Sequence, residues 1–193
     1  AFAILVGMLI WRPSGLFRSV YLLSTPHVHL HDLFARAVPS DDLRRARLEA
    51  TVRLGCVGRD NVGHRVRVEL LDPHGKRVWR RPLEHTYTDA DWRPIAGRGP
   101  RCELSAAVPR PRLWSAETPA LYTVIVTLID PSGAEIEHVA TRIGCKQVRI
   151  ADRQLLINGV AVPIRGVNRH DWSPDAGWSV DRSEEHTSEL QSL

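Results

Sequence analysis

The sequence is poor in cysteine, in lysine and in long apolar runs. Only 3 of its 193 residues are cysteine, and no two of them form a Cys-x-x-Cys pair. This odd, widely spaced set suits neither a disulfide framework nor a zinc knuckle, so we expect a reducing, cytoplasmic compartment. The apolar residues 1–10 (AFAILVGMLI) are too few to span a bilayer and have no basic segment before them, which predicts neither a membrane helix nor a signal peptide.

The positive charge, formally +4, comes almost entirely from arginine, since lysine occurs only at positions 76 and 146. The arginines are spread along the whole chain, and no aromatic-interleaved stripe or known recognition motif accompanies them. We interpret them as solvated side chains on strand faces and loops. We therefore expect no nucleic-acid partner.

A helical period is missing too, and a strict two-residue alternation of apolar and polar side chains takes its place. It is clearest in residues 46–54, 64–70, 102–108 and 122–128. Side chains of a strand point alternately to opposite faces, so each segment has one core face and one wet face. The pattern predicts about seven short strands between Val28 and Ile143 and a mainly β chain, folded as an immunoglobulin- or fibronectin-like antiparallel β-sandwich.

Turn signals separate the strands. Residues 72–75 and 130–133 both read Asp-Pro-x-Gly, which predicts tight turns. Residues 87–101 are a glycine- and proline-rich loop, and the three prolines of residues 109–119 exclude a central strand there. Asn-Gly at 158–159, between two apolar runs, predicts a hairpin with a type I′ turn.

Two local groups of side chains have the composition of a chemical site. Asp41, Asp42, Asp89 and Asp91 lie in turn-like segments, and we interpret them as caps and solvent-facing charges, not as catalytic acids. Residues 27–31 read His-x-His-x-His, and alternate residues of a strand share a face, so the three imidazoles could meet one Zn²⁺. Polar residues are also usual where a linker strand enters a sandwich, and we expect no tight zinc site.

The last twelve residues, 182–193 (RSEEHTSELQSL), do not share the alternating pattern. They resemble the conceptual translation of a common sequencing adapter, and we set them aside as an artefact. We therefore expect the natural sequence to continue beyond Asp181.

Three motifs carry a family resemblance. They are residues 11–18 (WRPSGLFR), 113–122 (LWSAETPALY) and 155–174 (LLINGVAVPIRGVNRHDWSP), which follow one another in this order along the chain. They resemble motifs of the family-two glycoside hydrolases, most closely of the long β-galactosidases in that family. The chain departs from the pattern in three places: an acidic stretch is replaced by residues 6–10, a Gly-Phe-Arg is replaced by residues 144–146, and two histidines are replaced by residues 172–173.

The resemblance implies three pieces of a longer chain. Residues 1–26 would end an N-terminal sugar-binding jelly roll, residues 27–147 would form the complete sandwich, and residues 148–181 would begin a (β/α)₈ catalytic barrel. The remaining residues, 182–193, are the suspected adapter segment.

The resemblance also implies an activity for the parent protein: hydrolysis of terminal β-D-galactosides with retention, in a homo-oligomer that uses Mg and Na. Both catalytic glutamates would lie on later barrel strands, so the chain itself would hold no catalytic residue, no metal and no cofactor. Its substrate-binding residues would be Asn168, Arg169 and His170, with His170 contacting the galactose.

Two alternatives stay open. A β-glucuronidase or a β-mannosidase of the same family is the enzymatic one, although residues 114–117 and 168–170 favour a β-galactosidase. The other is a non-catalytic carbohydrate-binding or adhesion sandwich, which would have no reason to continue into a barrel strand.

Overall fold

The computed structural model describes residues 24–92, 99–164 and 166. The chain divides into two compact units, one formed by Thr25–Pro163 and the other by Ala1–Ser24 with Ile164–Leu193. All strands of the described residues lie in the first unit. Within the described ranges, no helix is long and apolar enough to cross a membrane.

In the described ranges, ten strands follow one another, with one 3₁₀ turn at Asp89–Asp91. The strands are β1 (His29–Pro39), β2 (Ala46–Gly55), β3 (Arg65–Leu71), β4 (Leu83–Thr86), β5 (Arg101–Val108), β6 (Leu121–Ile129), β7 (Glu135–Gly144), β8 (Val148–Ala151), β9 (Gln154–Ile157) and β10 (Val160–Ala161).

The first seven strands form two antiparallel sheets. One has the order β1-β2-β5 and the other the order β4-β3-β6-β7. Apolar residues of both sheets belong to one core, so the sheets pack as the two layers of a sandwich. This arrangement confirms the predicted antiparallel β-sandwich.

The sandwich core follows directly from the alternation in the sequence. Along β2 every second residue from Ala46 to Leu54 is buried, while the residues between them are partly or fully exposed. In the facing sheet, Val66, Val68, Val124 and Val126 are completely buried in the same way. Each strand therefore contributes one face to the core and leaves the other to solvent.

The two Asp-Pro-x-Gly turns are built alike. The Asp72 carboxylate accepts the backbone N–H of Lys76 at 2.9 Å, and Gly75 has a left-handed φ of 79°. The Asp130 carboxylate accepts the N–H of Ala134 at 2.9 Å in the same manner. These bonds stabilise the ionised acids: the Lys76 N–H is the main cause that lowers the pKa of Asp72, and the Ser132 hydroxyl is the main cause for Asp130.

The last three strands form a separate sheet of order β8-β9-β10, called the hairpin sheet below. Asn158 and Gly159, with φ of 53° and 80°, connect β9 to β10, which confirms the predicted Asn-Gly turn. Asp152 and Arg153, with φ of 50° and 63°, connect β8 to β9 in the same way. That second turn has no glycine and was not predicted.

Candidate functional site

The predicted sugar-contacting residues Asn168, Arg169 and His170 lie outside the described residues, so their role stays a prediction. The motif residues 11–18 also lie outside them. The motif residues 113–122 and the first part of 155–174 are described, and they meet at the end of the sandwich. We call the contact between Trp114, Gly144 and Asn158 the junction.

The junction begins with Trp114, the second residue of the LWSAE motif. Its backbone N–H donates to the carbonyl of Cys145 at 2.9 Å, which ties the proline-rich loop to the end of β7. Its ring lies over Gly144, where a Cβ atom would come within 2.8 Å of Trp114 Cγ. The Lys146 ammonium lies 4.2 Å from the ring centroid on a Trp114 face, a cation–π contact. Gly144 therefore leaves the space that the indole occupies.

Asn158 is the second half of the junction. Its side-chain amide donates to the carbonyl of Trp114 and its side-chain oxygen accepts the N–H of Gln147, both at 2.9 Å. Its own backbone N–H donates to the Gln147 carbonyl, also at 2.9 Å. One residue thus closes a hairpin turn and holds that turn against the sandwich.

A second contact joins the hairpin sheet to the sandwich. Arg149 in β8 forms an ion pair with Asp41, which lies in the turn between β1 and β2. Both side chains are more than half exposed, so the pair stabilises the arrangement only weakly. The bonds of Asn158 are partly buried and are the stronger connection.

The three histidines do not converge in the structure. A register shift between Leu30 and Asp32 interrupts the alternation, and the rings of His29 and His31 lie 6.1 Å apart between centroids. His27 pairs with Asp60 at 2.6 Å, and His29 Nδ1 lies 3.1 Å from the Pro26 carbonyl. Across the described ranges, no group of three or more histidine, cysteine or acidic residues could hold a metal ion. That the three histidines hold no zinc tightly stays a prediction.

Three of the four aspartates, Asp42, Asp89 and Asp91, are engaged by groups of the sandwich, while Asp41 pairs with Arg149. The Asp42 carboxylate accepts the Arg44 N–H at 3.1 Å, and Asp89 pairs with Arg59 at 3.0 Å. Asp91 accepts the N–H of Thr88 at 2.7 Å and so caps the 3₁₀ turn. Partial burial raises the pKa of Asp91, but the Thr88 N–H and neighbouring groups outweigh it and leave that pKa below its ordinary value. The interpretation as capping and surface charges is confirmed for Asp42 and Asp91.

Sequence reasoning missed one buried polar pair. Tyr87 stands at the start of the predicted loop, yet it is fully buried in the sandwich core. Its hydroxyl donates to the Val52 carbonyl at 3.0 Å and lies 3.2 Å from Cys102 Sγ. Burial raises the pKa of both side chains, which keeps them neutral. The one sequence signal for this burial is the position of Tyr87, an aromatic residue that directly follows the alternating strand β4.

The described part is thus a two-sheet sandwich with a small three-stranded sheet fixed to its end. The family model for glycosyl hydrolases family 2 matches residues 28–146, more than half of the chain, and the model for the TIM barrel domain of that family matches residues 148–187. The chain belongs to glycosyl hydrolases family 2.

Curated proteins similar to the chain include several β-galactosidases. The chain is 39% identical to the β-galactosidase of Yersinia enterocolitica over 181 residues, 89% of this chain and 17% of that protein. It is 36% identical to that of Vibrio cholerae over 90% of this chain and 16% of that protein. It is 32% identical to the β-galactosidase of Priestia megaterium over 86% of this chain and 16% of that protein. The chain therefore spans about one sixth of the length of these relatives.

Solved structures of β-glucuronidases share the fold. Apo β-glucuronidase 3 of Bacteroides uniformis superposes with a TM-score of 0.70 at 23% identity, over 92% of this chain and 20% of that one. The β-glucuronidase of Parabacteroides merdae superposes with a TM-score of 0.68 at 20% identity, over 88% of this chain and 19% of that one. At these identities the likeness concerns the fold alone.

Proposed function

We propose that this chain is part of a retaining β-galactosidase, an enzyme that hydrolyses terminal β-D-galactosides. The observation that carries the proposal is the identity of 32–39% over 86–90% of the chain to curated proteins named β-galactosidase. The described motif residues support it, because Trp114 and Asn158 of two separate motifs form one hydrogen-bonded junction.

In this proposal the chain supports catalysis and does not perform it. A retaining glycosidase needs two carboxylates about 5–5.5 Å apart, one as nucleophile and one as acid/base. Asp41, Asp42, Asp89 and Asp91 cap turns or pair with arginines. We place the catalytic glutamates in the barrel beyond residue 181. The sandwich acts as a spacer that positions the barrel through the junction and forms part of the contacts of a homo-oligomer.

The Mg and Na that the family resemblance implies belong to the parent enzyme. No set of acidic or histidine side chains in residues 24–92 and 99–164 fits such an ion. We assign the metal ligands to the barrel, and no step of the proposed role of this chain passes through them. We also keep the cytoplasm as the proposed compartment.

The decisive experiment is a substrate comparison on the parent protein. We expect it to hydrolyse a chromogenic β-galactoside with a larger kcat/KM than the matching β-glucuronide or β-mannoside. The 193-residue chain should release no chromophore above buffer from any of them. Preference for the glucuronide or the mannoside would reject the galactosidase proposal, and turnover by the purified short chain would reject its supporting role.

The second candidate is a β-glucuronidase, the activity for which the solved structures of the same fold are named. It is the weaker proposal because those structures are only 20–23% identical to the chain. A carbohydrate-binding or adhesion sandwich is less compatible with a barrel-domain match that starts at residue 148.

The proposed sugar contact can be tested separately, on His170→Ala in the parent enzyme. A hydrogen bond to a ring hydroxyl strengthens as the ring flattens toward the oxocarbenium-like transition state. Losing it should lower kcat more than it raises KM, by about 2–4 kcal/mol in transition-state stabilisation. Trp172→Ala should mainly weaken substrate binding. An unchanged kcat/KM in His170→Ala, with normal thermal unfolding, would reduce His170 to a structural residue.

A further inference from the structure

The arginines on the strands of the sandwich are largely paired with acidic side chains. Ion pairs join Arg36 to Glu49, Arg53 to Asp32, Arg67 to Glu84 and Glu135, and Arg101 to Glu103. Such pairs cancel charge locally, so the paired strand faces offer little net attraction to an ionic partner.

Two short segments of the chain carry exposed cations of a different kind. They are residues 76–81, in the connection between β3 and β4, and residues 110–112, just after β5. Their exposed cationic side chains form what we call the basic patch: Lys76, Arg77, Arg80, Arg81, Arg110 and Arg112. In residues 24–92, 99–164 and 166, Arg77 alone among them has a carboxylate within ion-pair distance, that of Glu69 at 3.0 Å.

Two contacts place the segments of the basic patch side by side. The indole N–H of Trp79 donates to the carbonyl of Ala107 at 2.7 Å, near the end of β5. The guanidinium of Arg112 donates to Nε2 of His74 at 2.8 Å. A shallow depression of the surface is lined by side chains of the first segment: Arg77, Trp79, Arg80 and Arg81. The basic patch is therefore one surface and not two unrelated runs of charge.

The basic patch offers hydrogen-bond donors without acceptors. Residues 76–81 and 110–112 consist of lysine, arginine, valine, tryptophan and proline, and none of these side chains accepts a hydrogen bond. The neighbouring Asp72 is already occupied, because its carboxylate accepts the backbone N–H groups of His74 at 2.8 Å and Lys76 at 2.9 Å. The natural ligand of such a surface is a group that only accepts.

Arg110 has an unusual backbone conformation within the basic patch. Its φ of 47° is left-handed, and it lies between Pro109 and Pro111. A non-glycine residue adopts this conformation at a cost, and such residues cluster at ligand clamps and other functional sites. The two prolines also restrict the backbone on either side, so the segment holds Arg110 in place before a partner binds.

We propose that the basic patch is a docking surface for an acidic segment of a protein partner, in which several aspartate or glutamate side chains stand close together. The cations are arginines except for Lys76, and a planar guanidinium binds a carboxylate through two parallel N–H···O bonds. Ionised carboxylates accept hydrogen bonds and donate none, which matches a surface of donors. Charge complementarity thus identifies the occupant.

Other ligands fit the basic patch less well. A glycan presents hydroxyl groups, which donate as well as accept, and the patch has no acceptor for their protons. Binding of single-stranded nucleic acid adds aromatic stacking to the phosphate contacts. Trp79 is the one aromatic residue of the two segments, and it is half-buried and bonded to Ala107.

The test measures binding of a fluorescein-labelled oligoglutamate peptide to the 193-residue chain by fluorescence anisotropy, at about 0.15 M salt. The patch variant combines Arg80→Gln with Arg110→Gln, one substitution in each segment. The matched control combines Arg36→Gln with Arg59→Gln, which removes the same formal charge from two exposed arginines outside the patch. All four arginines are exposed, so each variant should keep the urea midpoint of the unsubstituted chain.

We expect the patch variant to bind the peptide at least about tenfold more weakly and the control less than about twofold more weakly, because only the patch variant loses charged hydrogen bonds to the peptide. Arg80→Lys with Arg110→Lys should recover part of the lost affinity, since lysine keeps the charge without the planar fork. Equal losses in the patch variant and the control would overturn the proposal, because net charge alone would then explain binding.

Competition separates the acidic segment from other occupants. A duplex oligonucleotide and a sulfated oligosaccharide of matched charge should displace the labelled peptide only weakly, and tighter binding of either would overturn the proposal. A dimer of the 193-residue chain that the patch variant abolishes would also overturn it, since the occupant would then be a second copy.

The parent protein provides the last arm of the test. It should bind the oligoglutamate peptide as the 193-residue chain does. A parent that does not bind the peptide would overturn the proposal, because the basic patch would then be covered within that protein. None of these measurements depends on turnover, so their outcome is independent of the proposed β-galactosidase activity.

Discussion

The sandwich and the hairpin sheet are both antiparallel and both rich in β-branched residues. They differ in how far those side chains are buried. In β2 every second residue is buried, and Leu48, Val52 and Leu54 have no exposed surface. In β8 every residue is exposed, including Val148 and Ile150. Apolar content alone therefore does not determine burial.

The difference lies in what faces each sheet. The two sandwich sheets supply each other's second layer, and their apolar faces form one core. The hairpin sheet is attached by the bonds of Asn158 and the ion pair of Arg149. Its residues Val148, Ile150 and Val160 are exposed. The sandwich is stabilised by its own burial, whereas the described contacts that hold the hairpin sheet to it are polar.

The largest effect should come from removing matched apolar volume in the two regions. Leu128 has no exposed surface, so Leu128→Ala should lower the free energy of unfolding by about 2–5 kcal/mol through lost burial and a cavity. Ile150→Ala should change it by less than about 0.5 kcal/mol. Urea unfolding followed by circular dichroism measures both. Equal losses would show that the hairpin sheet is buried as deeply as the sandwich.

A smaller effect should appear at alkaline pH, and only in the sandwich. Burial raises the pKa of Cys145 from its ordinary value of 9.0 to about 11, and burial also raises the pKa of Cys102. The folded state therefore keeps protons that the unfolded state releases, so this stability is complete below pH 9 and is lost as pH rises towards 11. The urea midpoint should fall over this range.

Cys145→Ala isolates the contribution of that thiol. The midpoint of the variant should fall less steeply between pH 9 and pH 11 than that of the unsubstituted chain, although it starts lower at pH 7. Parallel curves for the two proteins would mean that the Cys145 thiol does not titrate differently on folding.

The sequence predicts the sandwich well because alternation and burial agree there. The strands, both Asp-Pro-x-Gly turns and the Asn-Gly turn follow from side-chain period and turn chemistry. The turn at Asp152 and Arg153 could not be predicted in this way, because neither residue has a strong preference for positive φ and the pairing of β8 with β9 imposes it. Tyr87 was missed because its burial depends on Val52, 35 positions away in the chain.

The candidate site was predictable only through motif resemblance. That resemblance indicates residues 168–170 as sugar contacts, which lie outside the described residues. The junction could not be derived from residue spacing, since Trp114 and Asn158 are 44 positions apart and Gly144 has no side chain to signal its role. Contacts between distant loops depend on the finished fold, so periodicity carries no information about them.

The smallest and most local effect should come from Asn158, which has two roles that can be separated. As a turn residue it has a φ of 53°, a conformation that glycine adopts without strain. As a clamp its side chain bonds Trp114 and Gln147. Asn158→Gly therefore preserves the turn and removes the clamp. Gly159→Ala is the matched control, because its φ of 80° strains the turn while the clamp stays in place.

We expect Asn158→Gly to speed hydrogen exchange at the Gln147 amide and along β9, corresponding to a loss of about 1–2 kcal/mol in local opening free energy for the two missing bonds. The urea midpoint of the sandwich should stay nearly unchanged, since its core does not include these bonds. Gly159→Ala should disturb exchange at β10 and leave the Gln147 amide protected. If Asn158→Gly leaves exchange at Gln147 unaltered, Asn158 acts as a turn residue alone, and the ion pair of Arg149 with Asp41 becomes the connection that holds the hairpin sheet to the sandwich.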